Sequence, residues 1–83
     1  MCDVAEKLSS AAQKRLVELG EQIRVARRSL GISRREIAET IGMHQMNYAR
    51  IERGRQNVTV EMLLRIADGL GVALTIRLGK KRR

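Results

Sequence analysis

Eighty-three residues, 43% of them hydrophobic, make one small domain. A chain this short buries only about 60–65% of its unfolded surface, so a second copy is one route to added stability. Seventeen Lys and Arg against nine Asp and Glu leave a formal net charge of +8, which favours nucleic acid or an acidic membrane surface as partner. With no Phe, no Trp and one Tyr, the aromatic platforms of RRM, OB-fold and single-strand binders are excluded.

The absence of Pro together with the apolar content points to compact, mostly helical structure. Cys2 alone permits no internal disulfide, and His44 alone permits no Cys/His zinc site, so neither metal nor cofactor is expected. No apolar run reaches the roughly 18 residues of a membrane span, which leaves no membrane role of that kind. The segment MCDVAEKLSS lacks the basic-then-apolar order of a secretion signal, so a cytoplasmic protein is expected.

Leu8, Ala12, Leu16, Leu19, Ile23, Ala26 and Leu30 recur at steps of three and four, one apolar stripe along a first helix. Ser10 and Gln13 have capping-box spacing, which starts this helix near Ala11. A start near Asp3 is equally compatible, and Gly31 stops it. Ser33 and Glu36 form a second capping box, with Ile32 and Ile37 placed as its hydrophobic staple. The short helix they open turns Ile37, Ala38 and Ile41 inward and ends at Gly42. A third helix then runs from about Gln45 to Arg53, with Tyr48 and Ile51 inward and Gly54 at its end. Thr59 caps a fourth, stapled by Val58 and Leu63. Its buried stripe is Leu63, Ile66, Ala67 and Leu70, closed by Gly69 or Gly71.

From Val72 to Leu78 the pattern changes to a period of two, a strand signal. Leu74, Ile76 and Leu78 take one side; Ala73, Thr75 and Arg77 take the other. A lone strand cannot satisfy its own backbone, so its simplest partner is the same strand of a second chain. The expected fold class is therefore all-α: a bundle of four to five helices plus a short C-terminal β-strand paired across a dimer. Residues 1–15 read as a helical or frayed N-terminal extension, 16–72 as the domain, and 73–83 as the strand and a basic tail. The tail, Lys80 to Arg83, either widens the electrostatic footprint or serves solubility.

Helix, tight turn at Gly42 and helix over residues 33–53 make a helix-turn-helix. Residues 19–72, with the motifs SRREIAETIG, ARIERG and the following N-x-T, resemble the lambda-repressor-like, XRE-type DNA-binding domain. The resemblance implies that the helix from Gln45 lies in the major groove of double-stranded DNA. On it, Gln45, Met46, Asn47, Ala49 and Arg50 become candidate base contacts. Gln pairs with adenine N6 and N7, Arg reads guanine O6 and N7, and Met and Ala suit a thymine methyl. Packing at the surface is the other role open to Met46. Arg34, Arg53, Arg55, Asn57 and His44 become candidate phosphate contacts. At position 34 the family pattern usually has Gln, so Arg34 is a departure that adds charge. His44 is open to two roles, capping the third helix or touching a phosphate; Tyr48 matches an inward position. Arg27 and Glu52 match a largely buried structural ion pair of the family.

The reading that results is a sequence-specific, homodimeric transcriptional regulator, a repressor on a palindromic operator, cytoplasmic and nucleoid-associated. Small XRE-type chains ending in a strand also resemble HipB-like antitoxins. The alternative is thus an interaction module that neutralises a kinase-like toxin protein and autoregulates its operon. No catalytic residues are expected: one His, one Cys near a terminus and no Gly-rich phosphate loop supply no chemistry for an enzyme.

Overall fold

The computed structural model describes residues 9–79, and among them four helices carry the fold. The first, α1, spans Ser10–Ser29. Its N-cap is Ser9, whose hydroxyl accepts the Ala12 N–H at 3.1 Å. The cap therefore sits one residue before the Ser10/Gln13 box expected from the sequence. A hydroxyl alone satisfies one free N–H, and the side-chain oxygen of Ser9 is the one in extended backbone and in reach. Ser10 to Arg15, assigned to an N-terminal extension, are part of α1; the start near Asp3 lies outside the described residues. At the other end the Ile32 N–H donates to the Arg27 carbonyl and the Gly31 N–H to that of Arg28, a Schellman closure.

Helix α2, Arg34–Ile41, opens on a reciprocal box. The Glu36 N–H donates to Ser33 Oγ at 3.0 Å, and the Ser33 N–H donates to Glu36 Oε1 at 2.8 Å. Gly42 to His44 make the turn into α3, Gln45–Glu52. After a polar loop Thr59 caps α4, Val60–Leu70, by accepting the Met62 N–H at 3.1 Å. No helix is long and apolar enough to cross a membrane among the described residues.

The inward stripes converge on one core of Ile23, Ile37, Ala38, Tyr48, Ile51, Ile66 and Leu70. Helix α1 packs on α3, and α2 packs on both α3 and α4. Two glycines permit the α1–α3 crossing. A Cβ on Gly20 would stand 2.4 Å from the Glu52 carbonyl oxygen and 2.6 Å from that of Ile51. Gly54, at φ +71°, would place one 2.6 Å from the Cα of Val17. The two backbones meet with no room for a side chain at either point.

The C-terminal strand, expected to pair across a dimer, is not shown within one chain. Residues 72–79 hold no strand, and Ala73, Leu74, Thr75, Ile76, Arg77 and Leu78 have no ladder within the chain. The physical reason is the one that made the pattern unusual: the other elements are helices, so an alternating segment has nothing to pair with. Leu74 is half-buried beside α1 and α4, whereas Leu78 is 99% exposed.

The crossing generates a stability prediction. Gly20→Ala should cost about 3 kcal/mol or more, because rigid carbonyls cannot yield to the methyl. In a domain of this size that lowers Tm by at least about 10 °C. Gly79→Ala, with open space around it, is the matched control and should melt as the wild type does in circular dichroism.

Candidate nucleic-acid interface

Helix α3 buries Tyr48, Ile51 and Glu52 and turns the rest of its surface outward. At about 100° per residue, Met46, Arg50 and Arg53 lie opposite the buried stripe, flanked by Gln45, Asn47 and Ala49. All are exposed apart from Ala49, which is half-buried; Met46 is 63% exposed, a long apolar side chain held in water. His44 Nδ1 accepts the Met46 N–H at 3.2 Å, so this exposed imidazole caps α3. Arg55 and Asn57 are exposed in the loop beyond α3. Lys80 to Arg83 lie outside the described residues.

Glu52, at the last position of α3, holds the interface to the rest of the molecule. Arg27 donates from Nε to Glu52 Oε2 at 2.7 Å and from Nη2 to Oε1 at 3.3 Å. Its third arm, Nη1, donates to the Ile32 carbonyl at 2.8 Å. Arg34 reaches the same carboxylate, Nε to Oε1, at 2.9 Å. The Glu52 side chain is 1% exposed and that of Arg34 is 38% exposed. Burial by itself raises the Glu52 pKa, but Arg27, then Tyr48 and Arg34, outweigh it and hold the carboxyl below its ordinary value. Burial, reinforced by this carboxylate, pushes the Tyr48 phenol up. The phenol hydroxyl is near enough for that influence but forms no well-directed hydrogen bond among the described residues.

Two features of this cluster were not read from the sequence. Arg34 shares Glu52 with Arg27, and Arg24, one turn before Arg27 on α1, lines the same depression as Arg34, Arg53 and Arg55. The i, i+3 spacing of Arg24 and Arg27 was the available signal for the second. For the first, the departure from Gln at position 34 marked the residue but not its partner. Among the described residues no group of His, Cys, Asp and Glu could hold a metal ion.

A helix-turn-helix family profile matches residues 23–76. A relative described as an uncharacterized HTH-type transcriptional regulator, from Haemophilus influenzae, is 37% identical over 60 residues. That match covers 72% of this chain and 61% of the relative, so the chain spans about three-fifths of that protein's length. The restriction-modification controller protein C.AhdI from Aeromonas hydrophila superposes with a TM-score of 0.70 at 28% identity, over 72% of this chain and 91% of that one. The clp gene regulator ClgR from C. glutamicum gives 0.69 at 31% identity, over 70% and 74%.

The Glu52 cluster predicts acid lability. Its folded-state pKa lies below the ordinary value of 4.5, so the stabilisation is complete above that value and is lost as pH falls through the lower one. Urea midpoints should therefore drop between about pH 5 and pH 2. Glu52→Gln leaves the guanidinium of Arg27 buried without its counter-charge; it should start about 3–5 kcal/mol less stable at neutral pH. Its profile over the same acid range should be flatter than that of the wild type.

Proposed function

The chain belongs to the lambda-repressor-like, XRE-type helix-turn-helix family, and from that premise we propose that it is a homodimeric, sequence-specific regulator of transcription that represses from a palindromic operator. One observation carries the reading: α3 presents Gln45, Met46, Asn47 and Arg50 to solvent beside the basic positions Arg34, Arg53 and Arg55. A helix about 12 Å long with that outward face fits the major groove, where its first turn meets base edges. In this reading Gln45, Asn47 and Arg50 read bases, while Met46 and Ala49 meet thymine methyls. Arg34, Arg53, Arg55 and Asn57 take phosphates, and the exposed His44 joins that set. A net charge of +8 supports the same partner, double-stranded DNA, and a place on the nucleoid in the cytoplasm.

The dimer rests on apolar surface that one chain leaves in water. Val60 and Leu64 on α4, with Val72, Ile76 and Leu78 beyond it, are all more than 40% exposed. Pairing Ala73 to Leu78 antiparallel about a two-fold axis would satisfy their backbone groups and draw these side chains together. Two α3 helices about 34 Å apart then address one face of the duplex. No observation favours the alternative of a toxin-neutralising module, and the likeness to a restriction-modification controller and to a gene regulator supports regulation.

The test is a binding selection on randomised duplex DNA. Arg50→Ala and Gln45→Ala should relax the selected sequence, each by about 1–3 kcal/mol of discrimination at its position. Arg55→Ala should weaken every duplex alike and leave the selected sequence intact. The reverse pattern would remove α3 from the groove.

A further inference from the structure

The depression between α1 and the end of α3 collects Arg24, Arg34, Arg53 and Arg55 around Glu21 and Glu52, four guanidiniums against two carboxylates. The two carboxylates are already engaged. Glu52 takes Arg27 and the Nε of Arg34, and Glu21 Oε2 accepts from Arg24 Nη2 at 3.0 Å. Among the described residues Arg34 keeps both Nη groups without a protein acceptor, and Arg53 and Arg55 have no side-chain acceptor at all. Nor does Arg24 use its Nη1 or Nε. The depression is thus a concave surface with two positive charges in excess and several N–H donors directed at no protein atom. It takes a small, compact anion of at least one negative charge, which is the chemistry of a phosphodiester.

We infer that Arg24 is a DNA-backbone contact and that Glu52 acts as a positioning residue for Arg34, gripping its Nε so that the Nη edge faces a single phosphate. The inference rests on the DNA-binding reading above and names the anion of that same interface. Its geometry distinguishes Arg34 from an ordinary surface arginine. A guanidinium held by one edge on a buried carboxylate has lost most of its freedom before the phosphate arrives, so little more is lost on binding. A lysine carries the same charge on one nitrogen, which can serve Glu52 and a phosphate together only where both lie within hydrogen-bond reach of that single atom, with no fixed edge to orient it.

The experiment measures the affinity of a 20-base-pair duplex by fluorescence anisotropy between about 50 and 200 mM salt, for the full chain and for Arg24→Gln and Arg34→Lys. Thermal melts confirm that each variant is folded; the Arg24 side chain is 36% exposed and its ion pair is with the surface residue Glu21, so its variant is the safer one. Arg24→Gln should bind about tenfold more weakly at 0.1 M salt and lower the slope of log K against log salt by about 0.9, one phosphate contact. Arg34→Lys should keep the wild-type slope yet bind severalfold more weakly, because the charge remains and the orientation is lost. If Arg24→Gln matches the wild type in affinity and slope, or Arg34→Lys binds as tightly as the wild type, the phosphate seat is overturned while DNA binding stands. If the wild type itself shows no salt-dependent duplex binding, the DNA reading falls and takes the seat with it.

Discussion

One buried carboxylate organises this molecule. Glu52 stands at the C-terminal residue of α3, where the helix dipole already opposes a negative charge, and its side chain is almost wholly removed from water. Both conditions make an unpartnered carboxylate there untenable. Arg27 of α1 and Arg34 of α2 supply the counter-charge, so three helices are tied to one group. A buried ion pair of this kind is a poor source of net stability, since desolvation offsets much of the attraction. What it does is fix geometry. Arg27 takes both carboxylate oxygens and Arg34 takes Oε1, so the two guanidiniums tie α1 and α2 to the end of α3.

The glycine crossing enforces the same arrangement by sterics. Gly20 lets α1 press against the carbonyls of Ile51 and Glu52, which brings Arg27, seven residues further along the helix, over the carboxylate. Gly54 lets the chain leave α3 directly against Val17. Close backbone approach and ion pair are two descriptions of one joint. The hydrophobic core, small as it is, shares the buried face of α3 with this joint, Tyr48 and Ile51 packing beside Glu52 against α1, α2 and α4 while the opposite face meets solvent. The face of α3 that is not needed for packing or for the joint carries the exposed Gln45, Met46, Asn47 and Arg50, the side chains on which the proposed function rests.

Local rules made most of the helical framework legible. Ser33 with Glu36, Thr59, and the glycines after each apolar stripe are capping chemistry that acts over three or four residues, and the structure uses each of them. The start of α1 stood open between Ala11 and Asp3 in the sequence, and Ser9, in extended backbone with its hydroxyl on the Ala12 N–H, is the cap the structure uses. Residues 73–78 carried a strand pattern, but a strand exists only between chains or segments, and periodicity contains no information about the partner. On α3 the inward positions Tyr48 and Ile51 were legible from the helical pattern, and the candidate contacts on its outer face from the family resemblance. The Arg34–Glu52 bond and the place of Arg24 were not, because they join positions on different helices and depend on how those helices cross.

The central claim is that Arg27 and Glu52 act as one unit, Arg27 tolerable in the interior because of Glu52, and Glu52 chiefly because of Arg27. A double-mutant cycle on unfolding free energy, with Arg27→Met, Glu52→Met and the pair together, measures that directly. Each single substitution should destabilise by about 3 kcal/mol or more, and the double should lose far less than their sum, since no charge is then left buried without a partner at that site. Losses that simply add would mean that the two side chains contribute independently, and the joint described here would not exist.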